Sequence, residues 1–120
     1  KIENDLKETI KLLTKNNNKV YLISPLPEPR INERMFYFKN KKYPKHDYEQ
    51  WKTSVDEIEQ IIKKIDLANF SVINLEYLFC KNEKCKFRTS DHYYFLDHVH
   101  FTYFGSKYVA KEILKFIEGS

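Results

Sequence analysis

The stretch Phe95–Leu114, FLDHVHFTYFGSKYVAKEIL, decides how this chain is read. It packs an acid, two histidines, a hydroxyl residue and one of the chain's two glycines ahead of an apolar helical repeat. Extended backbone would put His98 and His100 on the same side. That spacing can suit zinc, with Cys80, Cys85 or His92 completing four ligands. A turn at Val99 would instead fold Asp97 back onto His100. The carboxylate would then accept a hydrogen bond from one ring nitrogen, fix the tautomer and leave the other nitrogen as a general base. The third reading is a hydrogen-bonded core histidine beside a loop acid. Spacing alone allows all three and favours the last.

The flanks of this stretch are more definite. Thr102 is expected to cap a helix that runs to about Glu118, with Tyr103, Val109, Ile113, Phe116 and Ile117 turned inward. Gly105 sits in the first turn, where glycine lowers helix propensity by about 1 kcal/mol relative to alanine. It is expected to admit a close approach of neighbouring backbone or side chains. Tyr93, Tyr94 and Phe95 read as core or pocket wall, and His98 as solvent-facing. His46 and His92 carry no assigned role.

Upstream, residues 2–16 place Ile2, Leu6, Ile10 and Leu13 on one helical face. "NNN" at 16–18 ends that helix, and "KVYLIS" at 19–24 reads as a buried strand. "PLPEPR" at 25–30 follows; three prolines in five residues forbid helix or ladder, so it is a stiff loop. Residues 31–47 are aromatic and basic without clean periodicity and read as a long loop with at most a helical turn. Residues 48–65 align Tyr48, Trp51, Val55, Ile58, Ile62 and Ile65 on a second helical face. "FSVINLEYLF" at 70–79 begins as a strand whose second half either continues or forms a short turn, and residues 80–96 form a loop that holds both cysteines. Alternating helices and strands predict an α/β layered fold with a parallel sheet. Two or three strands are too few to complete such a sheet.

The bulk numbers exclude rather than assign. One domain or part of one fits 120 residues. Nine Tyr, nine Phe and ordinary apolar content argue against disorder. The net charge of +4 comes from 21 basic and 17 acidic residues. Lys39, Lys41 and Lys42, and Lys81, Lys84 and Lys86, read as a solvated surface in the absence of any nucleic-acid signature. No apolar run approaches the roughly 20 residues that span a bilayer. The chain opens without Met and directly in a helical pattern, as a cut piece would. Cys80 and Cys85 form C-x4-C, for which a disulfide, two free buried thiols and a metal pair all stay open. A disulfide would place the domain in an oxidising compartment.

Taken together, FLDHVHFTYFGSKYVAKEIL resembles the last signature block of the SGNH hydrolase/acyltransferase superfamily. There an Asp and a His three residues apart precede a hydroxyl residue, a glycine and the final helix. The resemblance is closest to the SGNH domain fused to acyltransferase 3 membrane proteins, nematode-like members included, with cysteines shortly upstream. Cys80, Cys85, Tyr94, Asp97, His100, Thr102 and Gly105 fall in that order, with Phe101 where leucine is usual. The upstream KVYLISPLPEP is similar to the family's strand ending in a proline-bearing loop.

The resemblance implies a partial three-layer α/β/α, flavodoxin-like fold with parallel strands. The N-terminal strands would be missing, and residues 1–120 would be the C-terminal part of the domain. It implies Asp97 and His100 as catalytic residues, the acid–base half of a serine-dependent O-acyltransferase or esterase. An acyl donor and a hydroxyl acceptor, for instance a carbohydrate, would be its substrates. No cofactor and no metal are implied, and nucleic acid is not an expected partner. The implied partners are the N-terminal half of the domain and a membrane acyltransferase domain, at a lumenal or extracellular face. A Cys80–Cys85 disulfide agrees with that side of the membrane. The family's Gly-Asp-Ser nucleophile motif and its oxyanion Gly and Asn motifs are absent. Ser24, Ser54, Ser71, Ser90 and Ser106 lack the preceding Gly-Asp, so this chain alone is expected to be inactive. The alternatives are an inactive SGNH-like binding module or a small zinc-binding domain.

Overall fold

A computed structural model describes residues 1–119. Helix α1 spans Ile2–Thr14 and ends where Asn16 and Asn17 enter the left-handed region at φ 66° and 65°. Asparagine tolerates that conformation better than most residues, so the three asparagines stop the helix. Strand β1, Val20–Ile23, pairs in parallel with β2, Phe70–Ile73, in the register Val20↔Phe70 to Ile23↔Ile73. Two flanking bonds extend the ladder, Val20 N–H to Asn69 O at 2.8 Å and Ser24 N–H to Ile73 O at 2.9 Å.

Helix α3, Tyr48–Lys63, begins at Asp47, whose carboxylate accepts the Gln50 N–H. It buries Trp51 and Ile62, and Ile65 follows just beyond, as the helical face required. Helix α4, Tyr103–Glu118, packs Phe104, Tyr108, Val109 and Ile113 against Ile73, Leu75, Phe79, Phe87, Tyr94 and Phe95. That aromatic cluster is the main core. It joins the second strand, the cysteine-bearing segment and the last helix, and so fixes the backbone on both sides of Asp97 and His100. Helices around a parallel pair agree with a partial α/β fold.

Four local expectations need correction. The expected loop 31–47 contains a two-turn helix, α2, Glu33–Asn40, capped by Asn32, whose side chain accepts the Met35 N–H. Beyond β2, the second half of 70–79, open in sequence to a continued strand or a short turn, takes the turn, a 3-10 turn at Glu76–Leu78. Inside the cysteine loop lies a short antiparallel hairpin, β3, Cys80–Lys81, with β4, Lys84–Cys85. The inward face of α4 is rotated: Tyr103 is 79% exposed and Phe116 and Ile117 about 40%, while Phe104 and Tyr108 point in. The rotation follows from Gly105, which lets the helix approach through its first turn. On α1, Ile10 is buried but Ile2 and Leu13 are exposed, because among the described residues nothing covers the two ends of its apolar face.

Cys80 and Cys85 are opposed in the hairpin and joined as a disulfide. The bond spans a sequence separation of only five. A loop that short limits the chain-entropy contribution to about 2 kcal/mol. Reduction is therefore expected to lower the thermal midpoint by a few degrees without abolishing folding. Melts with and without reductant test this; an unchanged midpoint would show that the bond contributes nothing.

Candidate active site

The segment between Tyr94 and Thr102 is a closed loop. Phe95 and Phe101 form an antiparallel bridge, and Leu96 N–H reaches His100 O at 2.6 Å. One step further out, Thr102 N–H bonds Tyr94 O at 3.0 Å. Thr102 then starts α4. Its hydroxyl accepts the Gly105 N–H at 3.0 Å and donates to Tyr93 O at 2.6 Å, so the cap also ties the helix to the loop's other limb.

At the tip, Asp97 does what short polar side chains do in turns and bonds the backbone ahead of it. Its Oδ1 accepts the N–H groups of Val99 and His100, each at 2.8 Å. Oδ2 lies 2.9 Å from His100 Nδ1. The Val99 N–H, then the His100 N–H and ring, hold the Asp97 carboxyl well below the usual carboxylate range. An ionised carboxylate only accepts, so Nδ1 must carry the proton in this contact. Nε2 has no partner among the described residues, and the His100 side chain is 74% exposed. The pair is therefore an oriented imidazole whose second nitrogen is available.

Against Phe95, Val99 and Phe101 of this loop, at the carboxyl end of β1, lies a hollow of about 490 Å³ walled also by Ile23, Leu26 and Trp51, with Glu28 and Arg30 in its lining. Open parallel sheets bind ligands at this end of their strands. The proline loop reaches over to the pair: Arg30 N–H bonds His98 O at 3.3 Å, and its guanidinium bonds the Ser54 hydroxyl at 2.8 Å. Arg30 adopts a left-handed φ of 59° there.

The remaining candidates separate cleanly. His98 is exposed, as expected. No serine of the chain bonds the His100 ring among the described residues. Ser54 is engaged by Arg30 and Trp51, and Ser24 is buried. The disulfide removes both thiolates from any zinc set with His98 and His100. Two histidines without an expected role have contacts. His46 Nε2 lies 2.7 Å from the buried Glu33 carboxylate, and His92 stacks on Phe104 at 4.3 Å. The 13-residue separation of Glu33 and His46, across a stretch read as loop, left no sequence signal for that pair.

The model of the SGNH domain (fused to AT3 domains) matches residues 1–115. The chain belongs to this SGNH family. No curated protein and no solved structure matches it. The SGNH domain is of hydrolase/acyltransferase type, and the family's description names its fusion to AT3 domains. Among the described residues, no helix is long and apolar enough to cross a membrane.

The turn of this SGNH domain carries a pH prediction. A carboxylate with a depressed folded-state pKa contributes stability in full above its unfolded value, 3.8 for Asp97, and loses it only as pH falls toward the folded value. The Val99 and His100 amide resonances are therefore expected to stay in place between about pH 5 and about pH 3.5, where ordinary aspartates titrate. A midpoint at the ordinary aspartate value in those two amides would show that the turn does not hold the carboxylate.

Proposed function

We propose that Asp97 and His100 are the acid–base half of a serine-dependent O-acyl transfer centre. One observation carries the reading: the 2.9 Å contact of His100 Nδ1 with a carboxylate whose other oxygen is fixed by two backbone N–H groups. In a triad the carboxylate orients the imidazole and stabilises the imidazolium, and the free nitrogen moves the proton. Membership of a hydrolase/acyltransferase-type family supports this assignment.

The implied chemistry is two-step. A serine hydroxyl supplied from outside this chain attacks the donor's acyl carbon, and its proton passes to His100 Nε2. That proton leaves on the donor's departing group, which breaks the donor bond and leaves an acyl-serine. A hydroxyl acceptor, such as a sugar, or water then attacks the acyl-serine and gives its proton to His100. His100 returns a proton to the serine as it departs. The oxyanion donors also come from outside residues 1–120.

The open sheet fits this division. Among the described residues β1 pairs only with β2, and Ile23 and Val72 remain more than a third exposed. Parallel sheets occur almost only with both faces covered. On this reading residues 1–120 are the C-terminal part of a larger SGNH domain whose other strands bring the nucleophile, and the open sheet supports it. A fused AT3 membrane domain supplies the acyl donor. The disulfide agrees with an oxidising, lumenal or extracellular side.

The competing reading is a binding module of the same fold without chemistry, favoured by the absence of a serine at the His100 ring. One experiment separates the two. The full-length protein is given an activated acetyl ester, with and without a serine-directed phosphonate, in parallel with the 120-residue chain. The expected result is phosphonate-sensitive turnover by the full-length protein, with label on a Gly-Asp-Ser serine, and none by the chain alone. Sensitive turnover by the chain alone would overturn the half-centre assignment. No turnover by either would favour the binding module.

A further inference from the structure

The chain holds a single Asn-x-Ser/Thr triplet, Asn69-Phe70-Ser71. Asn69 lies in the turn between α3 and β2, and Ser71 is the second residue of β2. Such a triplet is the acceptor sequence for N-linked glycans, provided it sits at the surface of a protein that passes through the secretory compartment.

The surface condition is met. Asn69 and Ser71 are both exposed, and with Lys19 and Tyr21 they border a shallow hollow of about 140 Å³. Neither side chain is tied down. Asn69 serves the sheet through its main chain, where its carbonyl accepts the Val20 N–H at 2.8 Å. Its side-chain amide and the Ser71 hydroxyl make no hydrogen bond among the described residues. Asn18, Asn32, Asn40 and Asn74, by contrast, each bond a neighbouring main-chain group through the side chain. Asn69 also takes a left-handed φ of 59°, which asparagine tolerates. That turn accounts for an asparagine at 69 but not for a hydroxyl residue two places on. Ser71 meets Tyr21 in the parallel register, a position that β-branched and aromatic residues fill better than serine.

The compartment condition is supported by the Cys80–Cys85 bond, because disulfides persist in the oxidising space through which secreted proteins pass. We propose that Asn69 carries an N-linked glycan. In the transfer, Asn69 Nδ2 attacks the anomeric carbon of an oligosaccharide held on a lipid diphosphate. The N–C bond forms, the C–O bond to the diphosphate breaks, the amide gives up one proton and the lipid diphosphate departs. The modification leaves the candidate active site open. Asn69 stands at the amino end of β2, and the hollow against the Asp97–His100 loop lies at the carboxyl end of β1. The strands run parallel, so four residues at about 3.3 Å each put the two roughly 13 Å apart along the sheet. The proposal rests on the lumenal side inferred above and is independent of any chemistry at His100.

The test is peptide mass mapping of the full-length protein made in a eukaryotic secretory host. The tryptic peptide 65–81 is analysed after reduction, before and after enzymatic release of N-glycans. Glycan mass on that peptide is expected, with conversion of Asn69 to aspartate on release. Ser71→Ala leaves Asn69 and its turn in place and is expected to abolish the modification, whereas Ser71→Thr, which restores a hydroxyl, should retain it. Ser71 is exposed, so the thermal midpoint of Ser71→Ala should match that of the deglycosylated wild type. Adding Lys42→Thr to Ser71→Ala completes an Asn-x-Thr triplet at the exposed Asn40 and reports on the compartment. A glycan on Asn40 in that variant, with none on Asn69 in the wild type, would overturn the proposal and leave the lumenal side standing. No glycan at either position would overturn both. A glycan on peptide 65–81 that survives Ser71→Ala would also overturn it.

Discussion

His100→Ala in the full-length protein is expected to lower the acyl transfer rate roughly ten-thousand-fold or more, with little change in KM. On the proposed mechanism the substitution removes the imidazole held by Asp97 and leaves the serine without a base. Because the ring is largely exposed, its loss leaves no buried cavity, and the thermal midpoint should hardly move. Asp97→Asn is the sharper companion. An asparagine side-chain oxygen can still accept the Val99 and His100 N–H groups and keep the turn. It cannot stabilise an imidazolium, so kcat should fall while the melt stays in place. Retention of more than a tenth of the activity by His100→Ala would remove His100 from the mechanism.

Gly105→Ala should be the most damaging conservative change in the fold. Intrinsic helix propensity predicts a gain of about 1 kcal/mol from alanine. The structure predicts the opposite sign. A Cβ on Gly105 would land on the Tyr94 carbonyl, which is backbone and already accepts the Thr102 N–H. Relief of the clash must move α4 off the loop that carries Asp97 and His100. Overpacking of this kind costs about 1–3 kcal/mol and occasionally more, and Tyr94 lies in the aromatic core, so the upper end is expected. Denaturant unfolding decides it: a midpoint at or above wild type would show that the close approach is absent. Activity in the full-length variant should fall in parallel, because the base of the loop opens.

The parts of this molecule legible in its sequence are those with local causes. Trp51, Ile62 and Ile65 repeat at helical spacing and are buried. Thr102 caps α4, and Gly105 sits where backbone comes too close for a side chain. The contact of Asp97 with His100 is likewise local, an acid bonding the turn three residues ahead. What was not legible depends on distant partners or on very short elements. Helix α2 has no apolar stripe; its start rests on the Asn32 cap. The hairpin strands are two residues each, and its turn puts both Asn82 and Glu83 at positive φ, a conformation for which Glu83 gives no signal. On α4, hydrophobicity alone ranks Tyr103 and Phe116 as core, whereas the contact at Gly105 sets the rotation. His46 meets Glu33 only after α2 and the following loop have folded.

The bridge between Phe95 and Phe101 has a consequence for how an active centre could be assembled. The loop it closes has its ends pinned by main-chain bonds and by two rings 4.8 Å apart. The entropy of closing it is thus met by the aromatic core, at a distance from the reacting groups. The histidine's orientation then depends on six neighbouring residues and not on the rest of the sheet. Amide exchange should accordingly find Leu96 and Thr102 slow even where the edges of β1 and β2 exchange fast. An incoming strand would meet a base already set at its working angle, and assembly would consist of delivering a serine to it.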